Sequence, residues 1–290
     1  MSNKEVISAL NNLDLSSYPY KEVMELVNQF MPKIIRLTLP PVYAIERMRP
    51  DGDIFVREGI SYKPAHLNKY PQRATLPNQT AFYGTLCGVK EPLFNNRKLA
   101  LSEASKLFRR GEEAEGVETY TISRWRTKGT LMVAVFVHED VFTNADDNEI
   151  LKSAKAFKMA NKTFLDGPMQ FDLYEKYVTE QFAKPVINDY DYIITATIAD
   201  RLMYASELDG VLYPSVQCDG RFGMNVALKP AAVDAKLFLE QVHELSYSQF
   251  HGVGELRFSK HFVPGDQDAQ GFKNWTYIDW SDEAPDHYKS

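Results

Sequence analysis

Apolar residues recur at intervals of three and four in several parts of the chain, which is the spacing of one face of an α-helix. Between Arg97 and Arg110 this pattern is continuous, and it ends in basic residues ahead of Gly111, as is typical of a helix C-terminus. Apolar positions within Tyr20–Met31, followed by Pro32, predict an N-terminal packing helix. The same spacing predicts helices over Asn148–Ala160, Met169–Phe182 and Tyr192–Tyr204.

Other stretches are short and apolar or alternate between apolar and polar residues, which predicts β-strands. Val117–Arg126 and Thr130–His138 flank Lys128-Gly129, and glycine permits the tight turn of a hairpin there. Further strands are predicted at Tyr43–Met48, Asp53–Val56, Gly210–Tyr213, Met224–Leu228 and around Gly254–Phe262. Because helices and strands do not alternate strictly, the order favours an α+β fold with a largely antiparallel sheet and flanking helices.

The chain contains no internal repeat, low-complexity segment or linker, so we predict one domain with appendages. The predicted limits are an N-terminal helical extension over 1–41, a main domain over 42–230, and C-terminal strands over 231–290. The last range includes an aromatic tail, Trp275–Trp280, which we expect to pack on the same domain.

The composition is that of a globular protein. Hydrophobic residues make up 44% of the 290 residues, as in an ordinary globular domain. The net charge of -6 disfavours direct binding to nucleic acid. The two cysteines, Cys87 and Cys218, cannot build a disulfide framework or a zinc ribbon. The first residues do not resemble a secretory signal, and no apolar run approaches the roughly 20 residues that cross a bilayer. We therefore expect a cytoplasmic protein without a membrane segment.

Standard motifs for metals and nucleotides are missing from the sequence. The six histidines include no pair at the i, i+4 spacing of a zinc-binding helix, so we predict no metal centre. The signatures of the P-loop, the Rossmann fold and the α/β-hydrolases do not occur either. A nucleotide, if one is bound, must be held by another scaffold.

Two polar residues stand in unusual places. Glu103 lies at the apolar face of the predicted helix, where a carboxylate is costly unless it is paired or used. The alternative is that Glu103 turns outward and pairs with Lys106 at i, i+3. Ser215 follows the apolar strand that ends in Pro214, so its hydroxyl should be held in place. The alternative for Ser215 is that it satisfies a turn.

Tyr83 and three arginines are further candidates. Tyr83 ends a short alternating run, where most tyrosines pack and have a tethered hydroxyl. The arginines lie in the predicted loop and strand region before the first long helix, and they are Arg47, Arg49 and Arg73. A lone arginine in such a region is usually solvated or salt-bridged.

In this order and context, the candidate residues resemble the RES domain family, which is named for its Arg, Glu and Ser. The resemblance covers Val42 to Pro230, so the main domain over 42–230 is expected to be RES-like. The matching stretches are Ile45–Pro50, Arg73–Pro77 leading to Phe82-Tyr83, Ala100–Ala104, Asp209–Val216 and Asn225–Leu228. The sequence departs from the family pattern at Thr75, at Asn78 in the glycine region, and in a longer insert between Glu103 and Ser215.

The resemblance implies a fold similar to ADP-ribosyltransferases and cleavage of NAD with release of nicotinamide, by a glycohydrolase or a phosphorylase. NAD is then a substrate, with phosphate as an optional second substrate, and no cofactor is required. The resemblance further implies a toxin of a bacterial toxin–antitoxin pair with a helix-turn-helix antitoxin as partner, and it leaves a homo-oligomer open. Two alternatives stay open: an ADP-ribosyltransferase acting on a macromolecule, and a non-catalytic protein that binds a nucleotide or a partner.

The resemblance also assigns the site residues. The implied catalytic residues are Arg73, Tyr83, Glu103 and Ser215, and the implied substrate-binding residues are Arg47 and Arg49. Cleavage of the bond between nicotinamide and ribose passes through an oxocarbenium-like sugar, for which one carboxylate suffices. Arginine suits the pyrophosphate, tyrosine can stack on the nicotinamide ring, and serine can hold the ribose or the amide.

Overall fold

The structure is a computed structural model, and it describes most of the chain. The described residues are 1–30, 34–41, 43–52, 54, 56–87, 93–110, 113–141, 149–161, 171–204, 207–216, 223–262, 267–268, 271–272 and 276–277. Within these ranges no helix combines the length and the apolar character needed to cross a lipid bilayer.

Helices and strands are mixed along the chain. The α-helices described are α1 (Asn3–Asn11), α2 (Tyr20–Val27), α3 (Arg57–Ile60), α4 (Leu93–Ala104), α5 (Lys106–Arg110), α6 (Glu149–Ala160), α7 (Phe171–Ala183), α8 (Ile193–Tyr204) and α9 (Pro230–Lys236). The strands described are β1 (Ile35–Leu39), β2 (Ala44–Pro50), β3 (Phe82–Cys87), β4 (Gly116–Thr127), β5 (Leu131–Val135), β6 (Gly210–Pro214), β7 (Met224–Leu228), β8 (Leu237–Phe250), β9 (Val253–Phe262), β10 (Gln267–Asp268), β11 (Gly271–Phe272) and β12 (Thr276–Tyr277).

The first of two compact units, unit 1, combines Met1–Leu39, Lys63–Phe82 and Thr130–Ala232. Its strands pair in the order β1-β5-β6-β7, with one parallel pair, β5 with β6, between two antiparallel pairs. Every residue of β6 and β7 is buried, as expected of strands covered on both faces. Helices α7 and α8 pack against β6. The ring of Phe182 on α7 lies 5.2 Å from the ring of Tyr213 on β6.

The second compact unit, unit 2, combines Pro40–Tyr62, Tyr83–Gly129 and Val233–Ser290. Its described strands pair in the order β3-β2-β4-β8-β9-β12, and each pair is antiparallel. One face of this sheet packs against α4 and α5. The residues of that core are Ala100, Leu101, Leu107, Tyr120, Ile122, Leu245 and Tyr247, with Met48 against them. The α+β fold with a largely antiparallel sheet is therefore confirmed.

The helix predicted over Arg97–Arg110 is interrupted, so its prediction as one helix is wrong. It consists of α4 and α5, which are separated by Ser105. The Ser105 hydroxyl accepts a hydrogen bond from the backbone N–H of Phe108 at 2.9 Å. A serine in that position caps the start of a new helix, because it satisfies an N–H that has no partner within the first turn. Gly111 lies outside the described residues.

The predicted hairpin around Lys128-Gly129 is also wrong, although both of its strands exist. β4 pairs with β2 and β8, whereas β5 pairs with β1 and β6. The backbone N–H of Lys128 donates to the carbonyl of Lys236 at 2.7 Å, which continues the pairing of β4 with β8 beyond the end of the strands. Both edges of β4 are thus occupied by strands distant in sequence, and no edge remains for β5.

Smaller differences concern the ends of elements. Helix α2 ends at Val27, earlier than predicted, and Met31 lies outside the described residues. The strand predicted over Asp53–Val56 is absent at its described positions, Ile54 and Val56. Trp275 and Trp280 of the aromatic tail lie outside the described residues as well. The domain limits of 1–41, 42–230 and 231–290 stay a prediction.

Candidate active site

Ser215 follows a strand that is held tightly in unit 1. Gly210 opens β6, and a Cβ atom added there would lie 2.2 Å from the carbonyl oxygen of Ala227, so glycine allows β6 and β7 to approach this closely. The preceding Asp209 accepts a backbone N–H of β5 at 2.7 Å through its carboxylate. Ser215 itself is fully buried, and its backbone N–H donates to the carbonyl of Gly223 at 2.9 Å. The motif Asp209–Ser215 therefore fixes the position of the serine.

Arg73, also in unit 1, is tethered at the C-terminal end of α7. Its guanidinium donates to the carbonyl oxygen of Phe182 at 2.7 Å and to that of Lys184 at 3.2 Å. The guanidinium carbon lies 5.0 Å from the centre of the Tyr192 ring. The last carbonyls of a helix lack partners within the helix and carry partial negative charge, so they attract a cation. Arg73 thus has a structural partner for part of its donor set.

The departures of the sequence near Arg73 have a structural explanation. Asn78 has φ of 61°, a left-handed conformation that glycine adopts freely and asparagine tolerates. Its N–H donates to the carbonyl of Asn68 at 2.7 Å. Thr75 is fully buried, and its hydroxyl accepts the side-chain amide of Asn68 at 3.4 Å. Asparagine at 78 therefore meets a backbone requirement that glycine would also meet.

Arg47 and Arg49 lie on the same face of the unit 2 sheet. Side chains alternate along a strand, and residues directly opposite each other in antiparallel strands share a face. Arg47 is opposite Ser123, and Arg49 is opposite Thr121. Thr121 is in turn opposite Glu244 on β8. We call this surface, defined by Arg47, Arg49, Ser123, Thr121 and Glu244, the arginine face.

The two arginines differ in whether their guanidinium groups have hydrogen-bond partners within the described part of the chain. The Arg47 guanidinium donates to the backbone carbonyl of Tyr83 at 2.5 Å. The Ser123 hydroxyl donates to the carbonyl of Arg47 at 3.2 Å. Arg49 is half-buried, and its guanidinium makes no hydrogen bond or ion pair with the described part of the chain. Arg49 is therefore a cation available to a ligand.

Glu103 and Tyr83 are both half-buried in unit 2. Glu103 lies on α4, and its backbone carbonyl accepts a hydrogen bond from the guanidinium of Arg109 at 2.9 Å. Helix α4 packs on the face of the sheet that carries Met48 and Ile122, which we call the helix face. The arginine face is the opposite one. The structure thus brings Arg47 to the Tyr83 backbone and places the helix of Glu103 on the other side of the sheet.

A buried charge network on the helix face was not predicted. Glu46 is 1% exposed, and its carboxylate lies 3.1 Å from Arg124 and 3.8 Å from Arg97. Arg124 also pairs with Glu240 at 2.9 Å, and Arg126 contacts the same carboxylate. Burial raises the pKa of Glu46, against the lowering effect of Arg97 and Arg124. The alternation of β2 carries a signal for this network, because Glu46 shares its face with the apolar positions 44 and 48.

A second unpredicted group lies in unit 1. His138 accepts the backbone N–H of Asp140 on Nδ1 at 3.2 Å, and its Nε2 lies 3.2 Å from the Asp172 carboxylate. The ligand atoms of His138, Asp172 and Glu175 lie within 4.8 Å of one another, a spacing that could hold a metal ion. The ammonium of Lys158 contacts the buried Glu175 carboxylate and supplies a positive charge to the group. Burial raises the pKa of Glu175 to about 7. The sequence separation of these residues hides the group from motif analysis.

Comparison with known proteins supports one family. The family model of the RES domain matches residues 121–249. No curated protein matches the chain. The match begins at Thr121 on the arginine face and includes Ser215 and Glu244, whereas Arg47, Arg49, Arg73, Tyr83 and Glu103 precede it. The predicted resemblance is confirmed over a segment that starts and ends later than expected. The chain therefore carries a RES domain over residues 121–249.

Proposed function

We propose that this chain is an NAD-cleaving enzyme that releases nicotinamide, as a glycohydrolase or a phosphorylase. The proposal is carried by the RES domain match, which includes the tightly held motif Asp209–Ser215. It is supported by the resemblance of the residues before the match, which supply the arginines, tyrosine and carboxylate of the implied site.

The chemistry requires stabilisation of a cationic sugar. When the bond between ribose and nicotinamide lengthens, positive charge develops on the ribose, and nicotinamide leaves as a neutral molecule. In our proposal Glu103 either faces this charge or holds the ribose hydroxyls and the acceptor. Ser215 hydrogen-bonds the ribose or the amide, and Tyr83 stacks on the nicotinamide ring. Each role uses a fixed group whose interaction strengthens as the charge develops.

Binding of the pyrophosphate requires arginine in particular. A guanidinium is permanently charged and presents a planar fork of donors that matches phosphate oxygens. We assign this role chiefly to Arg49, since its guanidinium makes no hydrogen bond or ion pair with the described part of the chain. Arg73 and Arg47 already donate to backbone carbonyls, but a guanidinium carries further N–H groups, so both can assist. Phosphate as an acceptor would use the same cationic surroundings.

The biological setting follows from the family resemblance. We propose that the enzyme is the toxin of a bacterial toxin–antitoxin pair and that a helix-turn-helix antitoxin restrains it. Such an antitoxin would inhibit by covering the NAD site or its entrance. Co-expression with the antitoxin should therefore abolish nicotinamide release and restore cellular NAD.

The decisive experiment measures nicotinamide release from NAD by the purified full chain, with and without phosphate. Release in both buffers identifies a glycohydrolase, and release that depends on phosphate identifies a phosphorylase. Glu103→Gln should lower the rate about a hundredfold, because a developing charge loses its counter-charge. Glu113→Gln is the matched control, since Glu113 is exposed and lies beyond α5.

Two results would contradict the proposal. If nicotinamide is released and labelled ADP-ribose appears on a protein or nucleic acid, the chain is a transferase. If a folded chain binds NAD without any release, it is a binding protein. Equal rates for Glu103→Gln and Glu113→Gln would remove Glu103 from the site while leaving the activity in place.

A further inference from the structure

Glu244 completes a row of polar residues on the arginine face. The row runs across three neighbouring strands, from Arg49 on β2 through Thr121 on β4 to Glu244 on β8. These residues are direct neighbours in register, so their side chains leave the sheet on the same side. Arg49 lies two strands away from Glu244 and makes no hydrogen bond or ion pair within the described ranges, so the row includes a cation available to a ligand. Glu244 is only 8% exposed, which is unusual for a carboxylate.

The turn at the end of β2 lies directly against this carboxylate. Asp51 has φ of 98°, a strained conformation for a residue with a side chain. It is held from both sides: its N–H donates to the carbonyl of Thr119 at 3.1 Å, and its carbonyl accepts the Thr121 hydroxyl at 2.9 Å. A Cβ atom added to Gly52 would lie 2.9 Å from Oε2 of Glu244. Glycine at 52 therefore allows the turn to pack directly against the carboxylate, and a larger residue would displace it.

We propose that Glu244 is a catalytic carboxylate of the NAD-cleaving reaction and that it faces the ribose while Arg49 holds the pyrophosphate. This inference rests on the proposed function and adds a residue and a location to it. A buried carboxylate interacts more strongly with a developing charge than an exposed one does, because little water screens it. Strained backbone beside it fits a functional site, where such conformations concentrate.

In the proposed step, the bond between ribose C1′ and the nicotinamide nitrogen breaks, and its electron pair leaves with nicotinamide. The pyridinium charge of NAD is thereby neutralised, and the positive charge passes to the ribose, where Glu244 stabilises it. An oxygen of water or phosphate then forms the new bond to C1′. When water is the acceptor, its proton passes to a carboxylate and from there to solvent.

Other carboxylates of unit 2 fit this position less well. Glu103 lies on α4, which packs on the helix face. Glu46 belongs to the same opposite face, as its register with Arg124 shows. Glu118 lies on that face as well, where it contacts Ser105 beside the helix. Glu244 therefore replaces Glu103 as the carboxylate that faces the charge, because the two residues belong to opposite faces of the sheet.

The test compares Glu244→Gln with wild type by the kcat and KM of nicotinamide release, with thermal unfolding as a check on folding. We expect kcat to fall about a hundredfold or more, while KM for NAD stays within about threefold, since the charge exists only in the transition state. The matched control is Glu255→Gln on the neighbouring strand, where the side chain is largely exposed. Its kcat should equal that of wild type.

A second variant covers the case in which Glu244→Gln does not fold. Gly52→Ala places a methyl group against Glu244 Oε2 and Thr119 and should lower kcat about tenfold by displacing the carboxylate. Wild-type kcat in both folded variants, or in folded Gly52→Ala alone if the other does not fold, would overturn the role of Glu244 while leaving NAD cleavage intact. Absence of nicotinamide release from the wild-type chain would overturn both proposals.

Discussion

The two faces of the unit 2 sheet both combine arginine and glutamate, but they use them differently. On the helix face, Arg97 and Arg124 lie against Glu46, and α4 and α5 cover the sheet beside them. On the arginine face, Arg49 lies in register with Thr121 and Glu244 and makes no ion pair within the described ranges. The same residue types thus form a closed network on one side and leave a cation available on the other.

The two faces differ in the partners and in the solvent exposure of their arginines. Removal of a charge from water costs several kcal/mol per ion, and a buried arginine is tolerated where partners satisfy it. Arg97 also lies 4.8 Å from the Phe258 ring, which adds a cation–π contact to its ion pair. Arg49 stays half-buried and keeps part of its hydration. We conclude that the helix face stabilises the unit and that the arginine face is the one suited to binding.

The largest expected effect on stability comes from disrupting the ion pairs of Glu46 on the helix face. Glu46→Gln should lower the free energy of unfolding by about 3–5 kcal/mol, because it removes the carboxylate charge beside the buried Arg97 and one of the two carboxylates that pair with Arg124. Urea unfolding followed by circular dichroism measures this loss, with the exposed Glu25→Gln on α2 as control. The kcat for nicotinamide release per folded molecule should stay within about threefold of wild type. A loss of stability below about 1 kcal/mol would show that this network is not what stabilises the sheet.

A pH effect of intermediate size is expected from a pair in unit 1, the buried Glu175 and the half-buried Lys158. The folded pKa of Glu175 is about 7 against its usual 4.5, so between these values the folded chain holds a proton that the unfolded chain has released. The free energy of unfolding should therefore fall as pH rises through this window, by up to about 3 kcal/mol from this group. Glu175→Gln should flatten the slope, whereas Glu180→Gln on the same helix should not. An unchanged slope in Glu175→Gln would contradict the raised pKa.

Much of the fold could be predicted from local sequence. Helical spacing predicted α6, α7 and α8 to within a few residues, and alternation predicted β2, β4 and β9. The partners of β4 could not be predicted from the Lys128-Gly129 turn, because a turn signal says where the chain can reverse and not which strand occupies the edge. The split at Ser105 depends on a single hydroxyl that competes with the helix for a backbone N–H.

The residue types of the candidate site could be predicted from the sequence, but the hydrogen-bond partners and strand neighbours of each residue could not. Arg47, Arg49 and Arg73 look equivalent in the sequence, yet Arg73 is held by carbonyls at the end of α7, more than a hundred positions away along the chain. The sequence does not predict a role for Glu244, because neither its neighbours in sequence nor a motif distinguishes it. Its place beside Thr121 and Arg49 arises from strand register, which a single sequence does not encode locally.

The smallest expected effect concerns Arg49 on the arginine face, whose removal should change the KM for NAD but not the stability. Arg49→Ala should raise KM for NAD about tenfold, because one forked contact to the pyrophosphate is lost, while the free energy of unfolding changes by less than about 0.5 kcal/mol. The unchanged stability follows from the absence of any hydrogen bond or ion pair of the Arg49 guanidinium within the described ranges. The matched control is Arg110→Ala on α5, an exposed arginine outside the arginine face, which should leave both quantities unchanged. Arg49→Lys should restore the charge but not the planar fork, so its KM should lie between those of Arg49→Ala and wild type. A large loss of stability with unchanged KM would reassign Arg49 to the structural class of Arg97.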